Sequence, residues 1–183
     1  ENLPPEGKEI TTEDLQEVGD VDQSLASFYN SRVAAVARDR NISERAVREW
    51  FDKELITGNK TRNMVLQEKS SSAGLPNDVI QALQGDLVRT ELRAGQIWIE
   101  LSHDRLVEPV LASNAKWFEQ NLSVFQRRVV LWVQQGHSES LLLGENELAE
   151  AEKEAATLSL TREEKEFLEE SKKQIQRPRR DQR

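Results

Sequence analysis

The chain has 183 residues, with 33 acidic against 25 basic side chains and a formal net charge of −8. That balance argues against a protein built chiefly to coat nucleic acid, because such binding rests on Lys and Arg neutralising phosphates. The absence of cysteine excludes disulfides and thiolate metal sites and fits a reducing, cytoplasmic setting, and no run of ~18 apolar residues offers a membrane span.

A hydrophobic content of 37% with 32% charged residues fits a globular protein with much exposed helix, and the length suits two small domains. The start, Glu1 to Gly7, has neither a basic region nor an apolar run, so it does not read as a signal peptide. With Met64 as its single methionine, the chain reads as a piece of a longer protein.

Residues 1–20, rich in Pro, Gly, Thr and acids, read as a lead-in linker. Val21, Leu25, Phe28, Val33 and Val36 then approximate one helical stripe, ended by Arg38 to Asn41. Ser43 can cap a second helix, with Glu44 at the positive end of its dipole and Val47, Trp50, Phe51 and Leu55 on one face. Gly58-Asn59 breaks it, and Asn63 to Glu68 has strand character. Lys69 to Gly74 reads as a flexible loop, and Pro76 suits the first turn of a helix over Asn77 to Asp86.

Val88, Thr90 and Leu92, then Ile97, Ile99 and Leu101, alternate with polar residues around Ala94-Gly95. A two-residue loop pairs Leu92 with Ile97, Thr90 with Ile99 and Val88 with Leu101, all core candidates on one face, and Arg89 meets Glu100 on the other. Three helices, a short strand and a hairpin are the parts of a winged helix-turn-helix domain, assigned to residues 21–102 of a mainly α chain.

Past Ser102-His103-Asp104 the period changes from 2 to 3.6, so the triplet reads as a hinge before a helical extension over residues 103–171. Leu106, Val110, Trp117 and Phe118 mark a long helix, which Pro109 kinks unless it lies in the first turn. Capping boxes at Ser123 to Gln126 and Thr161 to Glu164 open two more helices, with a further one over Glu145 to Ala156. Gly136 stops the first of these and Pro178 the last. Ten Glu between Glu145 and Glu170 precede six basic residues in a tail over residues 172–183, a pattern read as solvated faces.

No Gly-rich phosphate loop or nucleophile elbow is present. A metal site would need Glu100 and Asp104 to converge with His103 or His137, and no helical i, i+4 ligand spacing supports one. His137 beside Gly136 reads as a loop residue, and Trp98, Trp117 and Trp132 as packing residues. The alternative reading is a DNA-binding transcriptional regulator. It is opposed by the helix after Pro76, which carries Asp78 and Asp86 and no cation, and by a second helix on which acids outnumber Arg45, Arg48 and Lys53.

Phe28-Tyr29, Glu49-Trp-Phe51, Glu54-Leu-Ile56, Gly74-Leu-Pro-Asn77, Glu100 to Pro109, Asn114 to Phe118 and Leu141 to Leu148 together resemble the region after the ATPase module of bacterial STAND NTPases. These are signalling relatives of the apoptosome and plant resistance ATPases. The resemblance spans about residues 20–171 and is most specific over 97–118. It implies a non-catalytic regulatory module between the ATPase and C-terminal sensor repeats, often WD-type. It also implies oligomerisation on activation, and ATP or ADP with Mg bound by the full-length protein and none by this piece. Ser102-His103-Asp104 resembles that family's Met-His-Asp motif, whose histidine approaches the phosphates of bound ADP, although Ser102 departs from the methionine. The residues alone also allow His103 and Asp104 simply to end a strand and cap a helix.

Overall fold

The computed structural model describes residues 12–177. They are mainly helical, with a small antiparallel sheet. Contacts divide the chain into two compact units, at Lys116 and Trp117. The division falls later than the expected boundary after residue 102, because Leu106, Val107 and Val110 join the core of the first unit.

In the first unit, α1 (Thr12–Asp39) starts well before the expected first helix, so residues 12–20 are helical where a linker was expected. Residues 1–11 lie outside the described residues. Among the described residues of α1, Tyr29, Val33, Val36 and Ala37 are buried, whereas Val21 and Phe28 are exposed. The true apolar face is therefore displaced by one residue from Phe28 to Tyr29. Helix α2 (Glu44–Trp50) is capped as expected, Ser43 accepting from the Ala46 N–H. It passes into a π-helical turn over Phe51–Leu55, which periodicity at 3.6 does not anticipate. Phe51 sits edge-on to both Tyr29 and Trp50, with centroids 5.1 and 5.5 Å away.

The sheet has the order β1-β5-β4, formed by β1 (Val65–Leu66), β4 (Val88–Arg93) and β5 (Gln96–Leu101). The β4–β5 register is the one expected, from Val88 opposite Leu101 to Leu92 opposite Ile97. Burial is not uniform along it. Val88, Ile99 and Leu101 enter the core, but Leu92 and Ile97 stand exposed where the hairpin outruns the core. The segment expected to be a loop forms a small hairpin of β2 (Ser71–Ser72) and β3 (Leu75–Pro76). There the buried Trp50 donates its indole N–H to the Ser72 carbonyl at 3.0 Å. Helix α3 (Asn77–Leu83) is shorter than expected, ending before Gly85 at φ +88°. Helix α4 (Val107–Asn121) holds Pro109 in its first turn and does not break there.

The second unit is helical. Helix α5 (Val124–Gln134) and α7 (Arg162–Gln176) each begin with the expected capping box, at Ser123 and Thr161. Helix α6 (Glu145–Ala155) starts with Gly144, whose N–H donates to Glu147 at 3.0 Å. The core contains Phe125, Val129, Trp132, Leu148, Phe167 and Leu168, so the acidic helices α6 and α7 are only partly solvated. Lys172 and Lys173 belong to α7, where a tail was expected; Pro178 and the basic residues beyond it lie outside the described residues. Among the described residues no helix is long and apolar enough to cross a membrane.

Candidate functional site

The Ser102-His103-Asp104 triplet begins where β5 leaves the sheet. Ser102 is pinned there by two bonds, its N–H to the Leu87 carbonyl at 3.0 Å and its hydroxyl to the Asp86 carbonyl at 2.9 Å. His103 follows in an extended conformation, φ −147° and ψ 142°, and its carbonyl accepts from the Leu106 N–H at 3.1 Å to open a 3-10 turn over Asp104–Leu106. Its imidazole is exposed and makes no capping hydrogen bond. The backbone at His103 is thus held in place while its side chain is exposed.

Asp104 neither orients that ring nor caps the turn. Its carboxylate pairs with the guanidinium of Arg62, a residue from the segment before β1. Arg62 also donates to the Leu101 carbonyl at 3.1 Å and lies 3.5 Å from Glu100. Glu100 in turn holds Arg89 at 2.6 Å, as the hairpin register requires. Two arginines therefore share one buried carboxylate, and the exposed Asp104 completes a cluster with no net charge. Glu100 and Asp104 converge on an arginine and not on a histidine. Among the described residues no group of acids and histidines could hold a metal ion.

The structure separates the remaining candidates. His137 has φ +66° in its turn, but its ring stacks on Trp132 with centroids 3.9 Å apart and planes 6° from parallel, so it packs as well as turns. Trp132 is buried, and Trp98 and Trp117 are half-buried. Of the cations weighed for a DNA role, Arg48 is wholly buried and Arg45 pairs with Glu49 at 2.9 Å.

Sequence reasoning missed a polar cluster inside the first unit. The Arg48 guanidinium donates to Glu44 at 2.9 Å, to Asn114 at 3.0 Å and to Asn30. The Asn114 carboxamide also accepts from Tyr29 at 3.0 Å and donates to Asp52 at 2.7 Å and to the Arg48 carbonyl at 3.1 Å. Burial pushes the Tyr29 hydroxyl well above its ordinary pKa and, against the Asn114 hydrogen bond, raises Asp52 to about 6. One asparagine on α4 thereby ties together α1, α2 and the π turn. The signals available in sequence were a lone Arg on an apolar helix face and an Asn within α4. No family model, characterised protein or solved structure matches the chain.

Proposed function

We propose that this chain is a non-catalytic regulatory module of a STAND-type signalling NTPase, lying between an ATPase module and C-terminal sensor repeats. In this reading residues 21–102 act as a winged helix, with β4 and β5 as its wing, and His103 reports nucleotide state. The observation that carries it is the exposed, uncapped imidazole of His103 on a strand end fixed by Ser102. Such a group can donate to a phosphate without first breaking an internal bond. Asp104 acts through Arg62, holding the guanidinium at the end of β5, and Ser102 sets the backbone. ATP or ADP with Mg would be bound by the ATPase module, which supplies the phosphate loop that this chain lacks. The module's partners are then that ATPase, the sensor repeats and further copies on activation, in the cytoplasm.

The test uses the full-length protein. His103→Ala removes a hydrogen bond to a charged group, about 1.5–3 kcal/mol, and is expected to speed ADP release roughly tenfold to a hundredfold. An unchanged ADP off-rate overturns the role of His103. The DNA-binding reading is weaker because α3 presents Asp78, which faces Arg40 at 3.8 Å, and because Arg48 is buried. Salt-sensitive, sub-micromolar duplex binding lost on replacing Arg93 would favour that reading instead.

A further inference from the structure

Strand β4 is one of the two outer strands of the three-stranded sheet, and its pairing with β5 uses only one of its edges. The Gly85 N–H donates to the Val88 carbonyl at 2.9 Å, which places the backbone groups of Val88 on the outer edge. Backbone groups alternate sides along a strand, so those of Thr90 and Leu92 also point outward. Thr90 and Leu92 are both exposed, and Leu92, at 71%, is the most open large apolar residue among the described residues of the first unit. The Val88 carbonyl is held by Gly85, but among the described residues the Thr90 and Leu92 backbone groups have no partner on this edge, which thus combines free donors and acceptors with an exposed leucine. Natural sheets usually blunt such an edge.

The charges on the opposite face of β4 select what can pair there. Arg89, Glu91 and Arg93 alternate in sign, and Arg93 now donates to Glu91 of its own strand at 2.8 Å. An antiparallel copy centred on Glu91 would set Glu91 against Glu91 and Arg89 against Arg93, both repulsive. A centre at Thr90 would set Arg89 against Glu91 but would need the Val88 carbonyl, which the Gly85 N–H already holds; a centre at Leu92 sets Glu91 of each copy against Arg93 of the other and places the two Leu92 side chains together. In that register Leu92 is outward-facing in both strands, so each copy donates its Leu92 N–H to the Leu92 carbonyl of the other.

We propose that the free edge of β4 is a self-association surface, on which a second copy of this chain pairs antiparallel with Leu92 opposite Leu92. The inference does not depend on the nucleotide reading of His103. Strand β4 ends at Arg93, so in this register only residues 91–93 of each copy lie opposite one another; the contact is small and the association weak, with a dissociation constant on the order of micromolar to millimolar.

Sedimentation equilibrium of the 183-residue chain across that range reads the dimer directly. Glu91→Arg is expected to weaken it by about tenfold or more, Arg93→Glu likewise, and the double reversal to restore it, since only the double variant re-forms both cross-strand pairs. A second measurement fixes the register. The chain has no cysteine, so Leu92→Cys introduces a single thiol. Directly opposed hydrogen-bonded positions lie ~5.5 Å apart at Cα, inside the ~4.4–6.8 Å window for a disulfide. Leu92→Cys is expected to form a covalent dimer under mild oxidation and Ile97→Cys, on the neighbouring strand, much less of one. A chain that stays monomeric throughout overturns the proposal. So does a dimer whose charge reversals fail to compensate, or one that crosslinks equally well through Ile97→Cys.

Discussion

The two units hold their cores together by different means. The first is organised around a buried polar cluster, in which Arg48 meets Asn114 across 66 residues of sequence and Tyr29 meets Asn114 across 85. The second is organised by local devices, three helix starts each closed within four residues, around an apolar core of Phe125, Trp132 and Phe167. The second also buries one longer-range polar contact, the Ser171 hydroxyl accepting from the Leu143 N–H at 3.1 Å, but its helix starts depend on partners three residues away, so removing one cap costs about what that cap contributes. In the first, removing one partner strands the others in a medium that cannot solvate them.

Arg48→Ala breaks this contrast most severely. It leaves Glu44, Asn30 and Asn114 without their guanidinium, and a loss of about 3–5 kcal/mol is expected, confined to the first unit. Hydrogen exchange read peptide by peptide checks it, with protection falling over α2 and the sheet while α5 and α7 keep theirs. Arg48→Lys should recover little, since an ammonium cannot reproduce three divergent donors from one plane.

The next effect is one of pH and has opposite signs in the two units. Burial raises Asp52 from 3.8 to about 6, so the folded first unit binds a proton that the unfolded chain does not between those values. Stability of the first unit should therefore rise as pH falls from 7 through 6 to 4, by on the order of 2 kcal/mol once partial exposure is discounted. Glu49 opposes ionisation of Asp52 while Lys53 and Arg48 favour it. Asp52→Asn keeps an acceptor for Asn114 and should carry most of that gain at pH 7, flattening the profile. In the second unit, Glu147 is held below its usual range by the Gly144 N–H and by Arg128, so its contribution is present above the unfolded value of 4.5 and is lost as pH falls through its lower folded value. Thermal melts at pH 7, 6, 5, 4 and 3 separate the two trends, the first unit gaining above pH 4 and the second losing only below about 4.5.

The local devices should yield the smallest change. Ser123→Ala removes the acceptor for the Gln126 N–H at 3.1 Å and is expected to cost about 1 kcal/mol, visible as faster exchange in the first turn of α5. Thr161→Ala should do the same for α7, and neither should alter α2.

Legibility in the sequence divides along the same line. Ser123 with Gln126, Thr161 with Glu164, and the alternation around Ala94-Gly95 are patterns whose partners lie within a few residues, and the structure contains each as read. The candidate site was legible only at its backbone. The position of His103 at a strand end follows from the alternation before it, but the partner of Asp104 is Arg62, 42 residues earlier and in no repeating pattern. Burial along the hairpin also escaped, because alternation assigns a face and not how far the core extends beneath it; hence Leu92 is exposed and Glu100 is buried. The start of α1 at Thr12 was hidden by a composition that favours loops as readily as helix ends.

The π turn at Phe51–Leu55 has a consequence for descent as well as for packing. A turn of this kind takes up one residue more than ordinary α winding would. Deleting one residue there would restore ordinary winding and rotate the helix before it by about 100° relative to the chain after it. Phe51 and Asp52 could not then both keep their places, the ring against Tyr29 and the carboxylate on Asn114. A lineage that lacks the extra residue should therefore also lack the acid at the position of Asp52, and the two traits should be gained or lost together.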